Sequence, residues 1–167
     1  AGKRTPIGAL QGSLQSFTGP QLGSLALKAI IDETKLDSKL IDQVVLGNVL
    51  GAGLGQNPAR QASLAAGIDI GVPCYSINKV CASGLKTICI GASEIKANNA
   101  EVIMAGGFES MSNAPHMLKS VRGGIRFGDS MILDSISTDG LVDAYSRLPM
   151  GVCTEKTAKE MGNNREL

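Results

Sequence analysis

The sequence predicts an α/β domain with a parallel central pairing, and three observations carry that expectation. Segments of helical periodicity alternate with short apolar runs in the order helix, strand, helix, strand, helix, strand over residues 22–105. The runs are bounded by turn residues, as at Gly47-Asn48 and Gly106-Gly107. Hydrophobic residues make up 43% of the chain but aromatics only 3%, with no Trp. Core volume must therefore come from Ile, Leu, Val and Ala, while the 21 glycines suit tight turns and close backbone approach.

Each element has its own justification. Residues 22–35 carry Leu22, Leu25, Ala26, Ala29 and Ile30 on one helical stripe, with Lys28 and Asp32 on the outer side. Val44-Val45-Leu46 reads as a buried strand. Residues 51–57 are a Gly-rich loop, after which Pro58 opens a helix through about Ala66 and Gly67 ends it. Cys74 to Asn78 reads as a second strand. From Cys81 to about Ala97, Leu85, Ile88, Cys89, Ala92 and Ile95 share one helical face, and Ile90 and Gly91 on other sides predict a helix buried nearly all round. Glu101 to Ala105 is a third strand. Residues 108–151 show little periodicity, and so long an excursion in a compact domain is usually functional. Helical patterning returns near Thr154–Met161, where Thr157 and Glu160 have the spacing of a weak capping box.

Bulk properties exclude several classes. A length of 167 residues suits one domain or a little more. The formal net charge is +1 and no long basic or acidic run occurs, which argues against nucleic acid or an anionic membrane as partner. No apolar stretch is long enough to span a bilayer. The four cysteines, Cys74, Cys81, Cys89 and Cys153, contain no CxxC, and the single His116 lies far from them, so neither a metal pattern nor a disulfide framework is favoured and a reduced intracellular protein is expected. The start at Ala1-Gly2-Lys3-Arg4 and the finish at 164–167 read as cut ends, so a targeting segment before residue 1 cannot be judged.

The candidate chemistry centres on residues 78–86, Asn-Lys-Val-Cys-Ala-Ser-Gly-Leu-Lys. They put Cys81 between a predicted strand and a predicted helix, among the free N–H groups of a helix N-terminus whose dipole attracts a thiolate. A thiolate there can attack a carbonyl and carry an acyl group. The competing reading is a buried inert cysteine. Three details favour chemistry: the junction position, the small Ala82, Ser83 and Gly84, and the polar Asn78 and Lys79. Cys89, one helical face inward, and Cys74, in a strand, read as core, and Cys153 is ambiguous. The Gly51-x-Gly53-x-Gly55 loop lacks nucleotide-binding spacing and reads as a structural turn. His116 is a base candidate that nothing local ties to Cys81. Residues 106–112 follow a strand end, where α/β sites collect, though composition alone does not separate them from an ordinary turn.

With those motifs in hand, the chain resembles the thiolases, most closely the acetoacetyl-CoA (biosynthetic-type) thiolases. Arg4-Thr5-Pro6-Ile7-Gly8, Gly47-Asn48-Val49-Leu50, residues 56–62, Asn78 to Lys86, Ala105 to Asn113, Arg122-Gly123-Gly124 and residues 139–143 match that family's motifs in its own order. The resemblance implies a fold of two similar α/β halves with an inserted loop domain. Residues 1–114 would be most of the N-terminal half, its first strand missing, and residues 115–167 the start of the loop domain. Cys81 would be the acyl-accepting nucleophile. The activating histidine, the second acid/base cysteine and much of the coenzyme A contact would lie in the second half, so this fragment alone is expected to be inactive. Met150 would line the pantetheine tunnel, although Pro149 stands where the family commonly has histidine.

The implied activity is condensation of two acetyl-CoA to acetoacetyl-CoA and CoA, or the reverse thiolysis, through an acyl-cysteine. The coenzyme A thioester would be the substrate, with no bound cofactor and no metal. A homodimer or homotetramer is implied, with residues 115–148 in the tetramer contact, in a mitochondrial or cytosolic setting. The rivals are a longer-chain 3-ketoacyl-CoA thiolase of β-oxidation, an inactive remnant kept for interaction, and, more distantly, a redox module.

Overall fold

Thr18 and Gln21 set the start of the first helix. The Gln21 side-chain oxygen accepts the Thr18 N–H at 2.8 Å, and the Thr18 hydroxyl accepts the Gln21 N–H at 3.4 Å. This capping box starts helix α1 at Gly19, three residues before the apolar periodicity begins, and α1 runs Gly19–Thr34. Lys28 and Asp32 pair at 3.1 Å on its outer side, where the periodicity puts them. In this computed structural model residues 1–163 are described, and they divide into two units, residues 1–114 and residues from Pro115 onward.

The first unit is a three-stranded parallel sheet with helices on both faces. Strand β1 is Gln43–Gly47, helix α2 Pro58–Ala65, strand β2 Cys74–Ile77, helix α3 Ser83–Lys96 and strand β3 Ile103–Gly107. Asn57 caps α2 by accepting the Arg60 N–H at 3.1 Å, and Gly67 (φ +82°) ends that segment with a backbone few other residues adopt. The sheet order is β2-β1-β3. The chain leaves β1 in one direction to reach β2 and returns past β1 to reach β3, so right-handed crossovers put α2 and α3 on opposite faces. The packing agrees. Val44, Leu46 and Met104 join Leu27 of α1 and Ala59 and Ala62 of α2 in the buried core, while Ile103 and Ala105, of the opposite parity on β3, meet Gly91 of α3.

Two departures from the sequence reading concern this sheet. The third strand starts at Ile103 rather than Glu101, because the Asp42 carboxylate takes the Glu101 and Val102 N–H groups at 2.6 and 2.8 Å before the ladder begins. Second, α3 does not bury its apolar stripe. It meets the sheet through Ser83, Thr87 and Gly91, whereas Leu85 is 67% exposed, Ile88 55% and Ile95 45%, with Cys89 exposed among them. Small residues let the backbone approach closely: a Cβ on Gly91 would sit 3.3 Å from Ile103, and the Thr87 hydroxyl lies 2.9 Å from the Gly106 carbonyl oxygen. The expected all-round burial, and the reading of Cys89 as core, are therefore corrected for this chain.

Asp42 supports a pH prediction. The Val102 and Glu101 N–H groups hold its carboxyl below the ordinary carboxylate value. A carboxyl whose folded value is depressed adds stability above its unfolded pKa of about 3.9 and loses it as pH falls through the folded value. Asp42→Asn is therefore expected to lower the urea midpoint at pH 7, and the difference from the parent protein should shrink as pH falls below about 4. Midpoints measured at pH 7 and pH 3 check this, and a constant difference would contradict it.

The second unit holds a short antiparallel hairpin of β4 (His116–Leu118) and β5 (Ile132–Asp134), a π-helical turn at Ile136–Leu141 and helix α4 at Met150–Glu160. Helix α4 starts four residues before the sequence periodicity suggests. Thr157 consequently lies inside it and donates its hydroxyl to the Cys153 carbonyl at 3.1 Å, so it is no cap. Among the described residues no helix is long and apolar enough to cross a membrane, and no cluster of His, Cys, Asp and Glu has a metal-binding arrangement.

Candidate active site

In an open parallel sheet, ligands gather outside the C-terminal strand ends where the order reverses. Here that point lies between β1 and β3, and the N-terminus of α3 is packed against it. Three glycines make the approach: a Cβ on Gly47 would lie 2.6 Å from the Ser83 carbonyl carbon, and one on Gly107 would lie 3.2 Å from the Gly84 Cα. Residues 78–82 connect β2 to α3 at this junction and carry Cys81, a free and exposed thiol.

Ser83 organises that connection. Only 4% exposed, its hydroxyl accepts the Lys79 N–H at 2.8 Å and donates to the Val80 carbonyl at 2.6 Å. The Ala82 N–H bonds the Lys79 carbonyl and the Ser83 N–H the Val80 carbonyl, each at 3.1 Å. Asn78 accepts the Val80 N–H at 2.8 Å. Residues 79 to 82 are thus tied inward while the Cys81 side chain stays in solvent. No protein acceptor among the described residues takes the Cys81, Gly84 or Leu85 N–H groups, as is usual for the first turn of a helix.

The C-terminal end of β1 is fixed by Glu109, which follows β3. Its carboxylate accepts the Asn48 side-chain amide at 2.6 Å and the Val49 and Leu50 N–H groups at 2.9 and 3.1 Å. Burial pushes the Glu109 carboxyl above its ordinary value, and the Val49, Leu50 and Asn48 donors pull it partly back. Asn48 also bonds through its N–H to the Ile77 carbonyl at 3.0 Å, so the ends of β1, β2 and β3 form one connected frame under the Cys81 turn. Asn48 and Glu109 carry no signal of these roles in composition or spacing, since they act across the sheet rather than along the chain, whereas the Ser83 bonds to Lys79 and Val80 are local.

A family model of the thiolase N-terminal domain matches residues 1–167. The chain belongs to the thiolase family. It is 46% identical over 166 residues to an acetyl-CoA acetyltransferase of Pseudomonas aeruginosa, covering 99% of this chain and 42% of that protein. It is 50% identical over 165 residues to an acetyl-CoA acetyltransferase of Saccharomyces cerevisiae, covering 98% of this chain and 42% of that one. Its fold matches a crystal structure of the Acat5 thiolase from Ascaris suum in complex with coenzyme A, at a TM-score of 0.92 and 42% identity, over 99% of this chain and 43% of the other. The chain therefore spans 42% of the length of these curated relatives.

The other candidate residues of this thiolase chain fall elsewhere. Met150 opens α4 in the second unit and is 44% exposed, whereas Cys81 is in the first unit. His116 is exposed on β4, also in the second unit, so it is not brought to Cys81 within one unit. Cys153 is half-buried in α4, with its sulfur 3.7 Å from the Ser146 hydroxyl. Cys74 is half-buried against the core, and its Sγ lies 3.3 Å from the Val72 carbonyl oxygen. The Gly51–Gly55 loop is a turn held by the Gln61 amide, which donates to the Leu54 carbonyl at 2.7 Å, and Gly53 and Gly55 supply positive φ values of 76° and 83°.

Proposed function

We propose that this chain carries the nucleophile of an acetyl-CoA C-acetyltransferase, whose full-length form condenses two acetyl-CoA to acetoacetyl-CoA or runs the reverse thiolysis. The observation that carries this reading is the exposed Cys81 thiol at the start of α3, beside unbonded N–H groups and above the ends of the parallel strands. Relatives named acetyl-CoA acetyltransferase support the activity, and the Ascaris suum thiolase in complex with coenzyme A supports a coenzyme A thioester as substrate.

In the proposed sequence, Cys81 Sγ attacks the thioester carbon, the carbon–sulfur bond to CoA breaks and CoA leaves, so that the acetyl group rests on Cys81. The Cys81 N–H would help to hold the developing oxyanion. In synthesis a second acetyl-CoA gives up an α-proton to a base supplied by the rest of the full-length protein, and its carbon takes the acetyl group from Cys81. In thiolysis free CoA takes it. Met150 is proposed to line the path of the pantetheine arm. No resident cofactor is needed for these steps. A homodimer or homotetramer is the proposed assembly.

The test is intact-mass analysis of the full-length protein after mixing with acetyl-CoA, followed by peptide mapping. One acetyl group on Cys81 is the expected result. A folded full-length protein that takes up none would overturn the proposal. A series of 3-ketoacyl-CoA substrates then fixes chain length, with preference for the four-carbon substrate expected and a peak at longer chains contradicting it.

A further inference from the structure

Seven described residues other than glycine have positive φ, and Val80, at +48°, is the only β-branched one among them. Lys35 and Asn98 sit where α1 and α3 end, and asparagine tolerates this region through its short polar side chain. Val80 has neither excuse, because a branched Cβ crowds the backbone there. Burial does not account for it either, since the side chain is 45% exposed. The strained residue directly precedes Cys81, and both of its peptide groups are tied: its N–H to Asn78 at 2.8 Å, and its carbonyl to the Ser83 hydroxyl at 2.6 Å and the Ser83 N–H at 3.1 Å. Strain of this kind persists only where the surroundings over-determine it.

We infer that Val80 is a positioning residue, whose left-handed backbone, clamped between Asn78 and Ser83, fixes the Cys81 thiol and N–H in one orientation for acyl transfer; this deepens the proposed function and rests on it. The physical reason is the width of the conformational well. A branched residue at positive φ has one narrow allowed region, so the turn cannot drift while its three hydrogen bonds hold. Glycine at the same place would be free of strain but would reach many neighbouring conformations. Stability and orientation therefore part company at this position, which a residue with a merely structural role would not show.

The experiment uses the full-length protein with Val80→Gly and Val80→Asn. Val80→Gly is expected to melt at or above the parent temperature, with an unchanged KM for acetyl-CoA and a kcat lower by about 10- to 100-fold, because a nucleophile misplaced by about 1 Å loses that much. Val80→Asn, which accepts the left-handed region, is expected to keep kcat near the parent value. The second readout needs no substrate: amide hydrogen exchange at residues 79–82 should speed up in Val80→Gly and stay near the parent rate in Val80→Asn. If exchange at 79–82 is unchanged in Val80→Gly, the inference is wrong whatever the activity. If exchange speeds up but kcat holds within twofold, the turn is fixed to no catalytic purpose and the inference also fails, as it does if Val80→Asn loses as much rate as Val80→Gly. Should the parent protein never acylate Cys81, the proposed function fails, while the exchange comparison still decides whether Val80 fixes the turn.

Discussion

Cys81→Ser in the full-length protein is expected to lower acyl transfer by about 10⁴-fold or more, the size of effect that removal of a reacting nucleophile has in other covalent enzymes. Serine keeps the shape and the exposure, so the fold should hardly notice: a surface change clear of hydrogen bonds usually stays within about 0.5 kcal/mol. The hydroxyl would lack the intrinsic nucleophilicity of the sulfur. Nothing in the turn makes good that lack. The Ser83 hydroxyl is committed to the Val80 carbonyl and the Asn78 oxygen to the Val80 N–H. Cys89 provides an internal control. It is exposed on α3, the helix that follows Cys81. Cys89→Ser should leave turnover near the parent rate. Steady-state thiolysis of acetoacetyl-CoA, run beside thermal melts of both variants, decides the matter. Turnover surviving in Cys81→Ser, or vanishing equally in Cys89→Ser, would remove Cys81 from the mechanism.

How much of this was legible in the sequence depends on the range of the interactions involved. The alternation of helices and strands was readable because periodicity is local: Val44 to Leu46 and Cys74 to Ile77 form the strands where β-branched and apolar residues cluster. The position of Cys81 at a strand-to-helix junction was readable for the same reason. Element ends were less so. Helix α1 begins at its capping box rather than at its first apolar residue, and β3 begins only after Asp42 has taken two N–H groups across 59 and 60 residues of sequence. The frame beneath the site was not readable at all, since Glu109 reaches back about 60 positions to Asn48, Val49 and Leu50.

The misjudged face of α3 has a more specific cause. An apolar stripe at helical spacing says that something covers it, not what. Within this chain the sheet is met by Ser83, Thr87 and Gly91, and the stripe of Leu85, Ile88 and Ile95 is left in solvent. Exposed apolar area of this kind marks a contact surface. Periodicity alone could not tell the small-residue face from the apolar one, because close packing on a sheet favours Gly, Ser and Thr, which hydropathy scores as indifferent.

Gly47→Ala is expected to be the most damaging change outside the nucleophile. An added Cβ would sit 2.6 Å from the Ser83 carbonyl carbon and 2.7 Å from both the Gly84 nitrogen and the Ser83 Cβ. Two of those three atoms are backbone, so no side-chain rotation relieves the overlap, and the start of α3 must move away from β1. Overpacking of this type costs about 1–3 kcal/mol, occasionally more. The displaced residue is Ser83, whose hydroxyl ties Lys79 to Val80, so the shift passes directly into the Cys81 turn. A loss of about 100-fold in the acylation rate of Cys81 should accompany the loss of stability, since the reacting sulfur would be misplaced by about 1 Å. Gly106→Ala is the matched control on the neighbouring strand: its Cβ would meet only Leu46 Cδ2, at 3.8 Å, which is ordinary contact. That variant should keep its urea midpoint and its acylation rate near the parent values. A Gly47→Ala protein as stable and as fast as Gly106→Ala would mean that α3 does not lean on β1 through Gly47, and the account of how the sheet aims Cys81 would fall with it.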